Sequence, residues 1–340
     1  MAFASYHTAL HDFSAFLRDD IWKLGGLAAT HAPLREALEK VETGLGQTEG
    51  HLAAACEDER ITLQLCLACW ERDWNHNGRL DRADRLLFQI ELDAHGQRLP
   101  EGDPRRTPTF TFDLGDVYWA RAMVSFQRAV VNLVLAYRWR ELDQLFVSRQ
   151  PVVTIVLEDR PRVLEVRELL VAGLAHADQA RRLYLAETDD QGEWVPNPKQ
   201  KNHPLPLPVD QALYDTWKGV VGDLQRLLAG KEGLGVSEIA QLGDHTWEDP
   251  PRGFIDLKRL TTEPADIILN RAHLLGLGRH RGDRRTRHDV EAVLRDVFGD
   301  KYVESMRPSP LVKRLVRMKG EIDRGEESLE RKLRYLLWLN

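Results

Sequence analysis

Between Asp73 and Asp84 the chain places oxygen-bearing side chains at alternate positions, and no other run in its 340 residues dictates so particular a chemistry. The segment reads DWNHNGRLDRAD. Counting Asp73 as the first position, side-chain oxygens fall at Asp73, Asn75 and Asn77, a backbone carbonyl is offered at Arg79, and oxygens return at Asp81 and Asp84. Alternate residues of a tightly curled loop point inward, so this spacing gathers hard oxygen ligands around one cation. Gly78 stands where such a loop turns most sharply, a turn that glycine makes without steric cost. Leu80 is expected to point away from the ion and anchor the loop on apolar neighbours.

With its flanks, residues 73–84 resemble an EF-hand calcium loop, whose ligands occupy positions 1, 3, 5, 7, 9 and 12. The resemblance covers the loop and the segments beside it and no more of the chain. It implies that Asp73, Asn75, Asn77 and Asp84 ligate through side chains, Arg79 through its carbonyl, and Asp81 directly or through water. One departure bears on the ion. The family usually has Glu at the twelfth position, long enough to bind through both oxygens, and Asp84 is one methylene shorter; EF-like loops such as those of dockerins tolerate this. Calcium is the expected occupant, with magnesium as the alternative. Three carboxylates and two neutral amides imply moderate affinity. No second complete loop accompanies the first, so a structural ion is expected rather than a sensor pair.

The helical periodicity around the loop suits a helix-loop-helix. Leu52, Cys56, Ile61, Leu65 and Cys69 place a helix over 48–72, and Leu86, Leu87 and Ile90 place another over 82–94. Before them, helices are expected over 5–24 and 32–42. Residues 95–112 read as a Gly-, Pro- and Arg-rich loop, and Asp113 and Asp116 open the longest expected helix, about 115–147, as dipole-opposing caps. Its segment AVVNLVLAY is apolar nearly all round, which predicts a buried central post. Further helices are expected over 162–187, 210–229, 264–275, 287–298, 310–319 and 326–339. Only VVTIVL, at 152–157, raises the alternative of a short strand. The expected fold is therefore all-α: a multi-helix bundle or an irregular helical-repeat array carrying one EF-hand-like unit. Pro151 divides an N-terminal helical domain, 1–150, from a C-terminal one, 151–340, with a proline-rich crossover at 188–209.

Composition excludes some roles. A net charge of −6 argues against a nucleic-acid binder. No run of about 18 apolar residues marks a transmembrane segment, and the opening MAFASYHTALHDF does not read as a signal peptide. A calcium site of moderate affinity serves better outside the cytosol, which slightly favours the periplasm or exterior. Cys56, Cys66 and Cys69 fall on one expected helix; Cys66 and Cys69 form a CxxC pair, but no second pair completes a zinc site, and burial on the helix is the expectation.

No phosphate-binding glycine loop, nucleophile elbow or HExxH motif is present. The expected function is a non-enzymatic calcium-binding protein acting as a protein-binding or scaffold component. Two alternatives stay open: a helical protein holding a small ligand in a groove between the central helix and the Trp194 segment, and an enzyme whose site is built from scattered Asp, Glu and His. Residues Arg279–His288, RHRGDRRTRH, offer an arginine cluster to an anionic ligand or an acidic partner segment.

Overall fold

The computed structural model describes residues 1–19, 27–69, 73, 78–80, 89–93, 97–145, 150–190, 192–203, 210–238, 253–276, 292–299, 303–304 and 306–322. They form two compact units, each assembled from three stretches of chain. The first takes Met1–Glu49, Val124–Ala172 and Gly222–Lys313; the second takes Gly50–Met123, Gly173–Val221 and Arg314–Asn340. Helices α1 (Ala2–Asp19), α2 (Leu27–Ala55), α3 (Leu114–Ala136), α4 (Arg160–Ala186) and α5 (Gln211–Leu228) dominate the fold.

The all-α expectation is nevertheless corrected, because three small antiparallel sheets accompany the helices among the described residues. Strand β1 (Leu63–Leu65) pairs with β2 (Phe110–Phe112) in the second unit. In the first, β3 (Tyr137–Arg138), β4 (Val152–Leu157) and β7 (Ile267–Asn270) form one sheet with β4 in the centre, and β5 (Leu234–Gly235), β6 (Phe254–Ile255) and β8 (Val303–Glu304) form another. VVTIVL is thus a central strand. Its β-branched side chains suit the pleat, and Val153 and Ile155 turn inward onto Ala136, Tyr137, Val163 and Leu269. Across the ladder Val153 faces Leu269 and Ile155 faces Ile267.

The incoming half of the helix-loop-helix expectation is corrected as well, while residues 82–88, most of the expected exiting helix, lie outside the described residues. The two helices expected over 32–42 and 48–72 are replaced by the single helix α2, which carries Pro33 inside it and ends at Ala55. Beyond it the chain turns, forms β1, and closes a 3-10 turn over Leu67–Cys69. The apolar spacing across 52–69 contained a five-residue step from Cys56 to Ile61. Pairing of Leu63–Leu65 with Phe110–Phe112 outweighed the helical periodicity on its far side. On the other side of the loop, residues 89–93 are also not helical, and Leu92 bridges Arg98.

The long helix stops at Ala136 because Tyr137 and Arg138 join the sheet through Leu157 and Val156. It is not buried all round either: Val130 and Leu133, three residues apart on one face, are 63% and 44% exposed. In the first unit Gly44 lets α2 approach α1, since a Cβ there would stand 2.5 Å from the Ala9 Cβ. No helix among the described residues is long and apolar enough to cross a membrane.

Cys66 and Cys69 lie off any α-helix and are joined as a disulfide, while Cys56 is free. A bridge over so short a loop contributes about 2 kcal/mol in the chain-entropy picture, against ~4.7 for a 100-residue loop, so it is a weak staple.

Candidate functional site

Of the six expected ligands in the 73–84 loop, Asp73 and Arg79 are described; Asn75, Asn77, Asp81 and Asp84 lie outside the described residues. Asp73 is half-buried, and its Oδ2 accepts the backbone N–H of Gly78 at 2.7 Å. Gly78 has φ +82°, in the left-handed region that favours glycine, with nothing within 4 Å of where a Cβ would stand. Its requirement for glycine is therefore conformational and not a matter of space. The first and sixth positions of the loop are thus tied together by a hydrogen bond and a sharp turn. Leu80 departs from expectation: it is 49% exposed rather than anchored on apolar neighbours. The donor set of carboxylates, amides and one carbonyl suits a hard cation such as Ca2+ or Mg2+.

The second unit carries a different concentration of acid. Asp113 precedes α3, and its Oδ1 accepts the N–H of Gly115 at 2.7 Å and of Asp116 at 3.4 Å. Asp116 reaches back, accepting the Asp113 N–H at 2.9 Å. This reciprocal arrangement satisfies three backbone donors at the start of the helix and is worth roughly 1 kcal/mol or more. Asp116 is buried and also accepts the Tyr184 hydroxyl at 2.8 Å. Tyr184 can pack there because residue 115 is glycine; a Cβ would sit 2.7 Å from its ring.

Asp113 stands beside Glu187 and Glu193, and one carboxylate oxygen from each lies within 4.8 Å of the others. Glu187 follows the last turn of α4. Glu193 is buried and bridges Thr111, whose N–H donates to the Gly192 carbonyl at 3.0 Å. Two like charges at this separation repel by roughly 3 kcal/mol at an effective dielectric of about 20, so the cluster needs protons or a cation. Burial pushes the Glu187 carboxyl up to about 10, helped by a hydrogen bond with Asp113 and by its charge. Glu187 Oε1 has no donor of its own, so that hydrogen bond exists only when one of the pair carries a proton. Asp116 is raised well above the usual carboxylate range by burial and then by Asp113. Amide donors complete the surroundings: Gln200 donates to Glu187 Oε2 at 3.3 Å, and Asn197 donates to the carbonyls of Tyr184 at 2.9 Å and Glu187 at 3.2 Å.

The sequence marked Asp113 and Asp116 as helix caps but held no sign of this convergence, because the partners lie some seventy to eighty residues further on. Nor is Trp194 an exposed groove residue. It is 3% exposed and packs edge-on against Phe110, with ring centroids 4.5 Å apart, among Leu67, Ile90 and Leu99. The cleft between Leu34, Leu38, Val134 and Trp139 in the first unit holds only about 40 Å³, far below the ~300 Å³ at which small-molecule sites begin. His176 packs on Tyr118, and burial followed by the charge of Arg121 pushes its imidazole down to about 4, so it is neutral at pH 7. The Arg279–His288 cluster lies outside the described residues.

Comparison with protein-family models, curated proteins and solved structures found no match.

Proposed function

We propose that the chain is a non-enzymatic calcium-binding protein, a binding or scaffold component for another protein, with the ion held by Asp73, Asn75, Asn77, Arg79, Asp81 and Asp84. The observation that carries this reading is the closure of the loop by the Asp73–Gly78 hydrogen bond at a glycine with positive φ. That closure supplies the curl on which alternate ligands would converge. Among the described residues, those before the loop form a strand and a 3-10 turn rather than an incoming α-helix that an ion could swing. An ion here stabilises the chain rather than switching it. The partner half of the proposal draws support from exposed apolar side chains on single helix faces: Val130 and Leu133 on α3, Leu164 and Val171 on α4.

Thermal unfolding of metal-stripped protein tests this reading. Calcium at a hundredfold excess over Kd is expected to raise Tm by about 5 °C. Magnesium at the same concentration shifts it less, because the smaller ion gives up its water reluctantly. Asp73→Ala abolishes the shift. A transition indifferent to calcium contradicts the proposal.

A second reading is favoured by one observation. Asp113, Glu187 and Glu193 bring one carboxylate oxygen each within 4.8 Å of the others, and burial raises the Glu187 carboxyl, the kind of arrangement used in acid–base catalysis. Turnover of a chromogenic glycoside or ester that is lost in both Glu187→Gln and Asp113→Asn would establish it; a full panel without turnover would count against it.

A further inference from the structure

We propose that Cys66 and Cys69 form a thiol–disulfide exchange site whose substrates are thiols, with Cys69 as the sulfur attacked. The pair sits between β1 and the loop opening at Asp73, and its Cα atoms are 5.3 Å apart. Its two sulfurs are placed unequally. Cys69 is exposed, so a thiolate can approach its sulfur from solvent, while Cys66 is half-buried. The Cys66 Sγ lies 3.4 Å from the Thr107 carbonyl oxygen. A disulfide sulfur carries no proton and cannot donate across that contact. The thiol released on reduction can, so an acceptor is already in place for the reduced state of Cys66 and for no other.

The reaction balances as ordinary exchange. A thiolate RS⁻ attacks Cys69 Sγ, a bond forms between the two sulfurs, and the Cys66–Cys69 bond breaks with its electron pair leaving on Cys66 Sγ. Cys66 takes a proton from water and donates to the Thr107 carbonyl. A second thiolate attacks the sulfur of the bound R group, releasing RSSR and leaving Cys69 as a thiolate. Two thiols are oxidised and one protein disulfide is reduced; the reverse passage oxidises the protein. A structural role explains the pair less well, because two intervening residues close a ring too small to restrain the unfolded chain much.

Glutathione is the probe. Folded full-length protein is equilibrated in buffers of varied reduced-to-oxidised glutathione, quenched with acid, alkylated and digested with trypsin. Cleavage after Arg60 and Arg72 places Cys66 and Cys69 on one peptide, apart from Cys56. The expected result is reversible opening and closing of the bridge with the far-ultraviolet circular dichroism unchanged. In oxidised glutathione, Cys66→Ser is expected to collect a glutathione adduct on Cys69 roughly tenfold faster than Cys69→Ser collects one on Cys66. A wild-type bridge that stays closed until denaturant is added overturns the proposal, as do equal adduct rates in the two variants. Exchange requires no metal, so this outcome is independent of calcium at residues 73–84.

Discussion

Replacing Trp194 by alanine is expected to cost about 3–5 kcal/mol of stability, the range for a large aromatic removed from a packed core. Trp194 touches Phe110 edge-on and lies 5.2 Å from the Phe112 ring, within a cluster that also includes Leu67, Ile90 and Leu99. Those residues come from β2, from the 3-10 turn that bears Cys69, and from the segments on either side of 94–96, so one side chain ties several short elements that have little regular structure of their own. The measurement is the urea midpoint, with the slope checked so that a lower midpoint reflects stability and not a change in the unfolded chain. Trp194→Phe should lose appreciably less. A loss below about 1 kcal/mol for the alanine variant would mean that the cluster collapses to fill the void or contributes little.

Glu187→Gln should make the protein more stable than the wild type at alkaline pH and leave the two nearly equal near pH 5. The carboxyl is raised in the folded state, to about 10, while in the unfolded chain it titrates as an ordinary glutamate near 4.5. The stability associated with the protonated group is therefore fully present below about 4.5 and is lost progressively as pH climbs toward 10. Glutamine keeps a hydrogen-bond donor toward Asp113 at every pH and removes one charge from the group formed with Glu193. At pH 9 the gain is expected to be about 2 kcal/mol, well under the full linkage value, because part of the Glu187 side chain is solvated and screened. Some alkaline sensitivity should persist in the variant, since Asp116 is raised in the same direction by its burial. Urea midpoints from pH 5 to pH 9 check this; a glutamine variant less stable than wild type at pH 9 contradicts it.

What the sequence shows and what it hides can be traced to particular residues. Helix α5 was legible because Leu213, Trp217, Val220, Val221, Leu224, Leu227 and Leu228 repeat over five turns, and its range, Gln211–Leu228, lies within the expected 210–229. The cap at Asp113 and Asp116 was legible because capping is a local exchange of hydrogen bonds within four residues. The sheets were not. β3, β5, β6 and β8 are two residues long, too short to show any period, and β4 finds its partner β7 more than a hundred residues later. The stop at Ala55 was hidden for the same reason, since the competitor to a longer helix is a strand at Phe110–Phe112. Trp194 stands among prolines and polar residues in the expected crossover, yet the pairing of Thr111 with Gly192 and Glu193 carries it into the core. The same pairing brings Glu193 to Asp113, so the carboxylate cluster is a product of tertiary structure and left no mark in local spacing.

Direct titration of calcium into metal-stripped protein, followed by calorimetry on the wild type and on Asp73→Ala, tests the central claim most directly. The account predicts one ion per wild-type chain with micromolar or weaker affinity and no binding to the variant. Equal binding to both proteins would move the site away from residues 73–84, and no binding to either would leave the loop a polar turn closed by the Asp73–Gly78 hydrogen bond alone.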